Sequence, residues 1–372
     1  MKLLVISSSP FIKKGNDYFA YSPYAKELAI WAKYADEIAF TCPIWKQDNG
    51  LLISEISFPL AQLYEVKGFN VKTIKNTFQA FLYSFLNCYL IFKSMLWADH
   101  IHLRCPGNIG LMGCVLQIFF PHKTKTAKYA GNWDLNAKQP LSYRLQKWLL
   151  RNTYLTKNMQ VLVYGEWENS TKNIKPFFTA SYFEKDKTPL QPRNLNGKIT
   201  FAFVGTLAVG KQPMYAVQLI EALYTKGFDV RLSVYGQGPE RQKLEDYIIE
   251  NRLKEVVFLE GNQNQEAIKK MFVETHFVIL PSLSEGWPKV IAEGMFWGCF
   301  PLASKVSCLP NMLDNGNRGS LLTLDLQQDI AIVESVLNQP EAYKTKALNA
   351  MEWSRQYTLD VFESEIKKLL QS

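Results

Sequence analysis

The 372-residue chain has only four histidines, and its six cysteines (Cys42, Cys88, Cys105, Cys114, Cys299 and Cys308) form no C-x-x-C pair. Neither residue type recurs at metal-ligand spacing. That argues against a zinc site and a disulfide framework, and the thiols are expected to be reduced core residues of a cytoplasmic protein. No complete G-x-G-x-x-G occurs, no D-x-D pair follows a candidate strand, and there is no short-period repeat or low-complexity tract. Nucleic-acid signatures are missing too: no zinc-finger spacing, no RNP-like run and no arginine-rich tract. The opening MKLLVISSSP is too short an apolar run for a signal peptide and is expected to be a first buried strand.

What is present describes a globular protein. Apolar residues make up 47% and charged residues 20%, which excludes a disordered chain. The length allows two domains, each with a core of its own. Charge is uneven: up to residue 190 there are 23 Lys/Arg against 13 Asp/Glu, and beyond it 19 against 21, so the net +8 resides in the first half. An anionic partner for that half is expected, and a membrane surface or lipid phosphate fits better than nucleic acid. The stretch 77–97, TFQAFLYSFLNCYLIFKSMLW, carries only Lys93 as a charge. Its length would allow a membrane span. Gln79, Ser84, Asn87 and the strand-like run that follows at once argue instead for a helix in the core or with one face on lipid.

Apolar runs alternate with helical patterns from end to end, as in βα units of parallel sheets. Strands are expected at 2–8, 37–41, 100–103, 126–130 and 160–164, with helices such as 24–34 and 142–150 between them. The segment 184–198, EKDKTPLQPRNLNGK, reads as a linker. A second series follows, with strands at 199–204, 230–235, 256–259 and 276–280 and helices at 213–226, 239–251, 264–272 and 288–297. The expected fold is α/β, two doubly wound Rossmann-like domains facing across a cleft. The first comprises 1–185 with a returning helix at 355–372, and the second 197–354. In such sheets ligands sit at the carboxyl ends of the strands.

Three motifs fall at those ends. In PSLSEGWPKVIAEG, 281–294, Glu285 lies in a loop after an apolar strand and Glu293 in the helix that follows. Backbone N–H groups at the start of that helix favour a phosphate. Pro288 has none, so Trp287 and Lys289 are the expected donors. Carboxylates at these places can accept from sugar and ribose hydroxyls; alone, either would pass for a solvated acid. In FVGTLAVGK, 203–211, Gly205 and Gly210 allow close backbone approach and Lys211 can neutralise a diphosphate. Gln212 stands where a Walker A loop needs Ser/Thr, so magnesium is not held there. In YGQGPE, Gly236 and Gly238 form a tight turn.

In order and spacing these segments, with VVFLEGN, resemble the second domain of the retaining glycosyltransferases of GT-B fold typified by a Glu-x7-Glu motif, family 4 of the usual classification. The resemblance covers about 150 residues and extends weakly into the first half. It implies that Lys211 holds the donor diphosphate, Glu285 the transferred sugar and Glu293 the nucleotide ribose. Gly205, Thr206, Gly236, Gly238, Gly286, Trp287, Lys289 and Val290 then complete the donor site. Two positions depart from the family: Thr206 replaces an arginine, and Gly131–Asn132–Trp133 stands where a histidine is usual. His102 could substitute for it. The acceptor side is expected among Ser7, Ser8, Ser9, Gly15, His102, Arg104, Asn132 and Trp133, with Tyr18, Tyr21 and Tyr24 as possible stacking surfaces.

The activity implied is transfer of a sugar from a nucleotide donor to a glycan or lipid-linked saccharide, in cell-surface polysaccharide assembly. No metal or other cofactor is expected, since Lys211 can balance the diphosphate. The expected location is cytoplasmic, peripheral on the inner face of the plasma membrane. A non-catalytic nucleotide-sugar-binding protein and a nucleotide-sugar epimerase are the alternatives on this fold. A Rossmann oxidoreductase is disfavoured by the incomplete glycine fingerprint.

Overall fold

A computed structural model describes residues 1–68 and 74–371, with side chains in the second stretch from residue 83. Gln79 therefore lies outside the described side chains. The chain divides into two compact units, Met1–Phe177 with Phe362–Ser372, and Phe178–Val361.

The first unit runs β1 (Lys2–Ile6), β2 (Phe11–Lys14), β3 (Asp17–Tyr21), α1 (Ser22–Ala32), β4 (Glu37–Cys42), β5 (Ile44–Trp45), β6 (Ile53–Glu55), β7 (Gln62–Glu65), α2 (Ile74–Trp97), β8 (His100–Cys105), α3 (Asn108–Leu116), β9 (Thr124–Tyr129), α4 (Leu141–Arg151), β10 (Met159–Tyr164) and β11 (Ile174–Phe177). Seven parallel strands form its sheet in the order β11-β10-β9-β8-β1-β4-β7. A parallel sheet is covered on both faces, which is why LLVI after Lys2 reads as an unbroken apolar run rather than an alternation. A small second sheet, β5-β2-β3-β6, is built on the β2–β3 hairpin.

The second unit runs β12 (Ile199–Val204), α5 (Pro213–Thr225), β13 (Val230–Tyr235), α6 (Arg241–Glu250), β14 (Val257–Gly261), α7 (Gln265–Glu274), β15 (Phe277–Leu280), α8 (Lys289–Phe296), β16 (Phe300–Ser304), α9 (Leu309–Met312), β17 (Ser320–Leu322), α10 (Leu326–Leu337) and α11 (Pro340–Ser354). Its sheet is parallel throughout, in the order β14-β13-β12-β15-β16-β17. The last helix, α12 (Leu359–Gln371), contributes its residues from Phe362 to the first unit.

The polar segment 184–198 behaves differently from a free linker. It belongs to the second unit, whose boundary falls earlier, at Phe177/Phe178. Arg193 fastens it by donating to the carbonyls of Phe272 at 2.8 Å and Trp297 at 2.8 Å, and also to that of Val273. These carbonyls lie at the ends of α7 and α8, where intrahelical donors run out, and a guanidinium reaches several of them at once.

Candidate functional site

The strand order of the second unit selects one place in its sheet. From β12 the chain winds outward through β13 to β14, then returns to place β15 on the other side of β12. The gap between the carboxyl ends of β12 and β15 is the topological switch point, where neighbouring loops diverge and leave a crevice. The loops carrying FVGTLAVGK and PSLSEGWPKVIAEG leave from these two strands.

The two loops meet there. Lys211 Nζ lies 2.5 Å from Glu285 Oε1, with the lysine side chain 33% exposed and the glutamate 7%. Leu283 N–H donates to the Gly210 carbonyl at 2.9 Å, joining the backbones. Lys211 is set by a 3-10 turn, Val209–Lys211. Gln212 follows in the left-handed region, and Pro213 then starts α5. The loop after β15 is pinned from behind, since Ser304 Oγ donates to the Ser282 carbonyl and Cys308 Sγ to that of Gly286 at 3.1 Å.

The third motif supports the first. Gly205 N–H donates to Tyr235 O at 2.9 Å and Leu207 N–H to Gln237 O at 3.0 Å. The two backbones run so close that a Cβ on Gly236 would sit 1.9 Å from the Gly205 carbonyl oxygen, and one on Gly238 2.4 Å from that of Leu207. Glycine is required at 236 and 238 by this contact, whereas Gly210 faces open space and a Cβ on Gly205 would make only an ordinary contact with the Phe203 ring at 3.9 Å. Thr206 is exposed at the rim.

Glu293 stands in α8. Its carboxylate accepts from the Ser181 hydroxyl, and both residues line a small depression with Thr179, Lys289, Ser354 and Tyr357. Burial pushes the Glu293 pKa up, against the Ser181 hydrogen bond and the charge of Lys289. Ser181 carries no motif, and sequence reading missed it. Trp287 packs its ring on Trp353 and Tyr357, with centroids 6.2 and 5.8 Å away. The backbone of Lys289 is not aimed outward as expected: its N–H donates to Trp287 O at 2.9 Å, closing the turn before α8. Val290 and Gly286 flank that turn, both half-buried.

On the first unit the acceptor-side expectations need correction. His102 lies inside β8 rather than after it, fully buried against Trp31 with ring centroids 4.1 Å apart. Burial first, and the neighbouring Arg104 second, hold its pKa well below the usual imidazole value. Its Nδ1 pairs with Thr126 Oγ1 at 2.8 Å. Arg104 is paired with Glu27 and lies over the Tyr24 ring, 4.6 Å from its centroid, while Lys128 reaches the same glutamate at 2.9 Å. Buried charges persist only when paired, and this cluster ties α1 to β8 and β9. Trp133 is 2% exposed and packs edge-on against Tyr129 in the core, so it offers no face to a sugar. Gly15 turns the β2–β3 hairpin at φ +62°. Asn132 is half-buried and accepts from Asp134 N–H at 2.8 Å.

The first sheet has its own switch point, between β1 and β8. Ser7, Ser8 and Ser9 lie at the end of β1, and Ser8 Oγ accepts from Ile109 N–H at 3.2 Å in the first turn of α3. The segment Pro106, Gly107, Asn108 thus joins the candidate acceptor loops. Its signal was a proline–glycine pair between a strand and a helix.

Among the described residues, no group of three or more His, Cys, Asp or Glu could hold a metal ion. None of the described helices is long and apolar enough to cross a membrane.

Comparison with known proteins bears on the fold and on the second unit. Residues 184–352 match the family model described as Glycosyl transferases group 1. The match lies within the second unit, and two Rossmann-like units with parallel sheets are the fold of GT-B glycosyltransferases. The chain is similar to Protein CapJ of Staphylococcus aureus, 24% identical over 330 residues, 82% of this chain and 78% of CapJ. It is also similar to the amylovoran biosynthesis glycosyltransferase AmsK of Erwinia amylovora, 27% identical over 166 residues, 43% of this chain and 41% of AmsK. For most of the curated relatives it matches, the chain spans about two fifths of their length. A solved structure of Anabaena HepE with UDP and glucose shares the fold over 100% of this chain and 99% of that one, at TM-score 0.69 and 13% identity.

Proposed function

We propose that the chain is a retaining glycosyltransferase of the Glu-x7-Glu type, family 4. On this reading it moves a sugar from a nucleoside diphosphate donor to a glycan or lipid-linked saccharide in the assembly of a cell-surface polysaccharide. The carrying observation is the 2.5 Å contact of Lys211 with Glu285 at the switch point of the second sheet. A cation and a carboxylate held together there suit a donor whose two halves have opposite needs. The diphosphate takes the ammonium, and a hydroxyl of the transferred sugar donates to the carboxylate. Departure of the diphosphate from C1 leaves an oxocarbenium-like sugar, so the charge to be stabilised grows on the leaving phosphate. Lys211 and the start of α8 around Val290 do this, and Glu293 takes the ribose hydroxyls. On this reading the leaving phosphate itself receives the acceptor's proton, the front-face route that the resemblance implies. The similarity to a glycosyltransferase of amylovoran biosynthesis and to HepE, solved with UDP and glucose, supports the donor class.

The test is incubation with UDP-, GDP-, ADP- and CMP-sugars in excess chelator, with product configuration read by NMR. An α-linked donor should give an α-linked product, or free α-sugar by slow hydrolysis, without metal. Inverted product, or activity that returns only with magnesium or manganese, would refute the respective part. Donor binding with no turnover for any acceptor or water would make the protein a non-catalytic binder.

A further inference from the structure

Helix α2 buries polar side chains beside the apolar Ile91 and Met95. Asn87 is fully buried and exchanges two hydrogen bonds of 2.9 Å with the backbone of Lys67. Ser94 is fully buried as well, accepting from the Thr41 hydroxyl at 2.9 Å and donating to the Ile91 carbonyl at 2.8 Å. The outer face carries Phe85, Leu86, Tyr89, Phe92 and Leu96, between 38% and 65% exposed. Their spacing of i, i+1, i+4, i+7 and i+11 makes one stripe along the helix.

The stripe continues beyond α2. Phe92 meets Phe119, at a centroid distance of 6.4 Å, and Phe119 is 66% exposed just after α3. Helix α3 packs against both α2 and α4. On α4, Leu141 and Trp148 are exposed at i and i+7, with Leu145 between them. Single exposed apolar residues are ordinary, but an apolar strip shared by adjoining helices marks a docking surface.

Charge identifies the occupant. Residues 66–165 contain 13 Lys/Arg and only two acids, Asp99 and Asp134; Lys125, Lys128 and Lys147 are buried and Arg104 pairs with Glu27, so the face itself is marked by two exposed cations. Exposed Lys93 lies in the stripe, and exposed Arg144 lies between Leu141 and Trp148. A second copy of the chain would set cation against cation, whereas anionic headgroups complement both the cations and the apolar strip. We propose that the outer face of α2, α3 and α4 docks on an anionic phospholipid bilayer. The apolar stripe enters the acyl boundary, and Lys93 and Arg144 sit at headgroup level. This does not depend on the sugar-transfer reading.

The test is flotation of the full chain with phosphatidylcholine vesicles, with and without phosphatidylglycerol, at low and high salt. Wild type should float with the anionic vesicles, and salt should weaken this without abolishing it, because only the charged component is screened. Phe85→Glu, Tyr89→Glu and Leu96→Glu together should lower partitioning at least about tenfold at both salts, with circular dichroism unchanged. Should that triple variant misfold, Lys93→Glu with Arg144→Glu gives the second reading, a loss confined to anionic vesicles at low salt. Failure of wild type to float, flotation unchanged in the variants, or a dimer that the triple variant dissolves would overturn the proposal.

Discussion

At the scale of the residue, Lys211 and the two glutamates divide the donor between them on the proposed reading. Thr206 replaces a cation at the rim, so Lys211 is left as the principal charge on the leaving diphosphate. Removing a preorganised stabiliser of this kind costs about 10²–10³ in turnover. Lys211→Ala should therefore lower kcat by that factor with little rise in KM, and steady-state kinetics decide it. Near-wild-type kcat would move the role to another cation such as Lys289. Glu293→Gln should weaken nucleoside diphosphate binding, whereas Glu285→Gln should spare it and lower turnover; equal losses by calorimetry would refute the division. Glu293 also has a stability signature. Burial raises its folded pKa above the ordinary 4.5, so the folded state holds the proton more tightly than the unfolded chain. Stability is then full below the ordinary value and falls as pH rises through the folded one. Glu293→Gln should thus raise Tm relative to wild type at pH 7, and the gain should fade in acid. A carboxylate kept at a cost to stability is what a ligand site requires.

At the scale of the element, the site depends on two loops pressed together. The loop after β13 lies on the loop after β12, and Gly236 is the point of contact, with φ +136° and no room for a Cβ. Gly236→Ala should force the backbones apart, costing about 1–3 kcal/mol as other overpacked sites do, and should weaken donor binding more than it disturbs the fold. Thermal unfolding and nucleotide titration on the same variant separate the two effects. Unchanged affinity would mean that the β13 loop plays no part in shaping the donor site. Helix α2 teaches a different lesson. Gln79, Ser84 and Asn87 argue against a membrane span on composition, yet Asn87 points inward, as does Ser94, where backbone and hydroxyl partners satisfy them. Composition counts polar groups, and only packing says which way they face.

At the scale of the whole molecule, two parallel sheets with separate switch points account for the alternation of apolar runs and helices along the chain. That pattern was legible because parallel strands are buried on both faces and their helices keep a 3.6-residue period. The motifs at the second sheet's switch point were legible for a related reason. Gly236, Lys211, Glu285 and Glu293 lie in or just beyond turns at strand ends, where local spacing and backbone geometry constrain the residue type. The acceptor side was not legible in the same way. His102, Arg104 and Trp133 looked like site residues because histidine, arginine and tryptophan so often are, but β8 and the core absorb all three. Ser181 carries no local signature at all. It reaches Glu293 from 112 positions away, and such a pairing exists only once the chain has folded. The sequence alone determined the order of elements and the chemistry at strand ends, because both are written in local period and spacing. Tertiary structure alone decided which polar groups turn inward, which charges are neutralised and which apolar faces stay exposed, because burial depends on neighbours far apart in the chain.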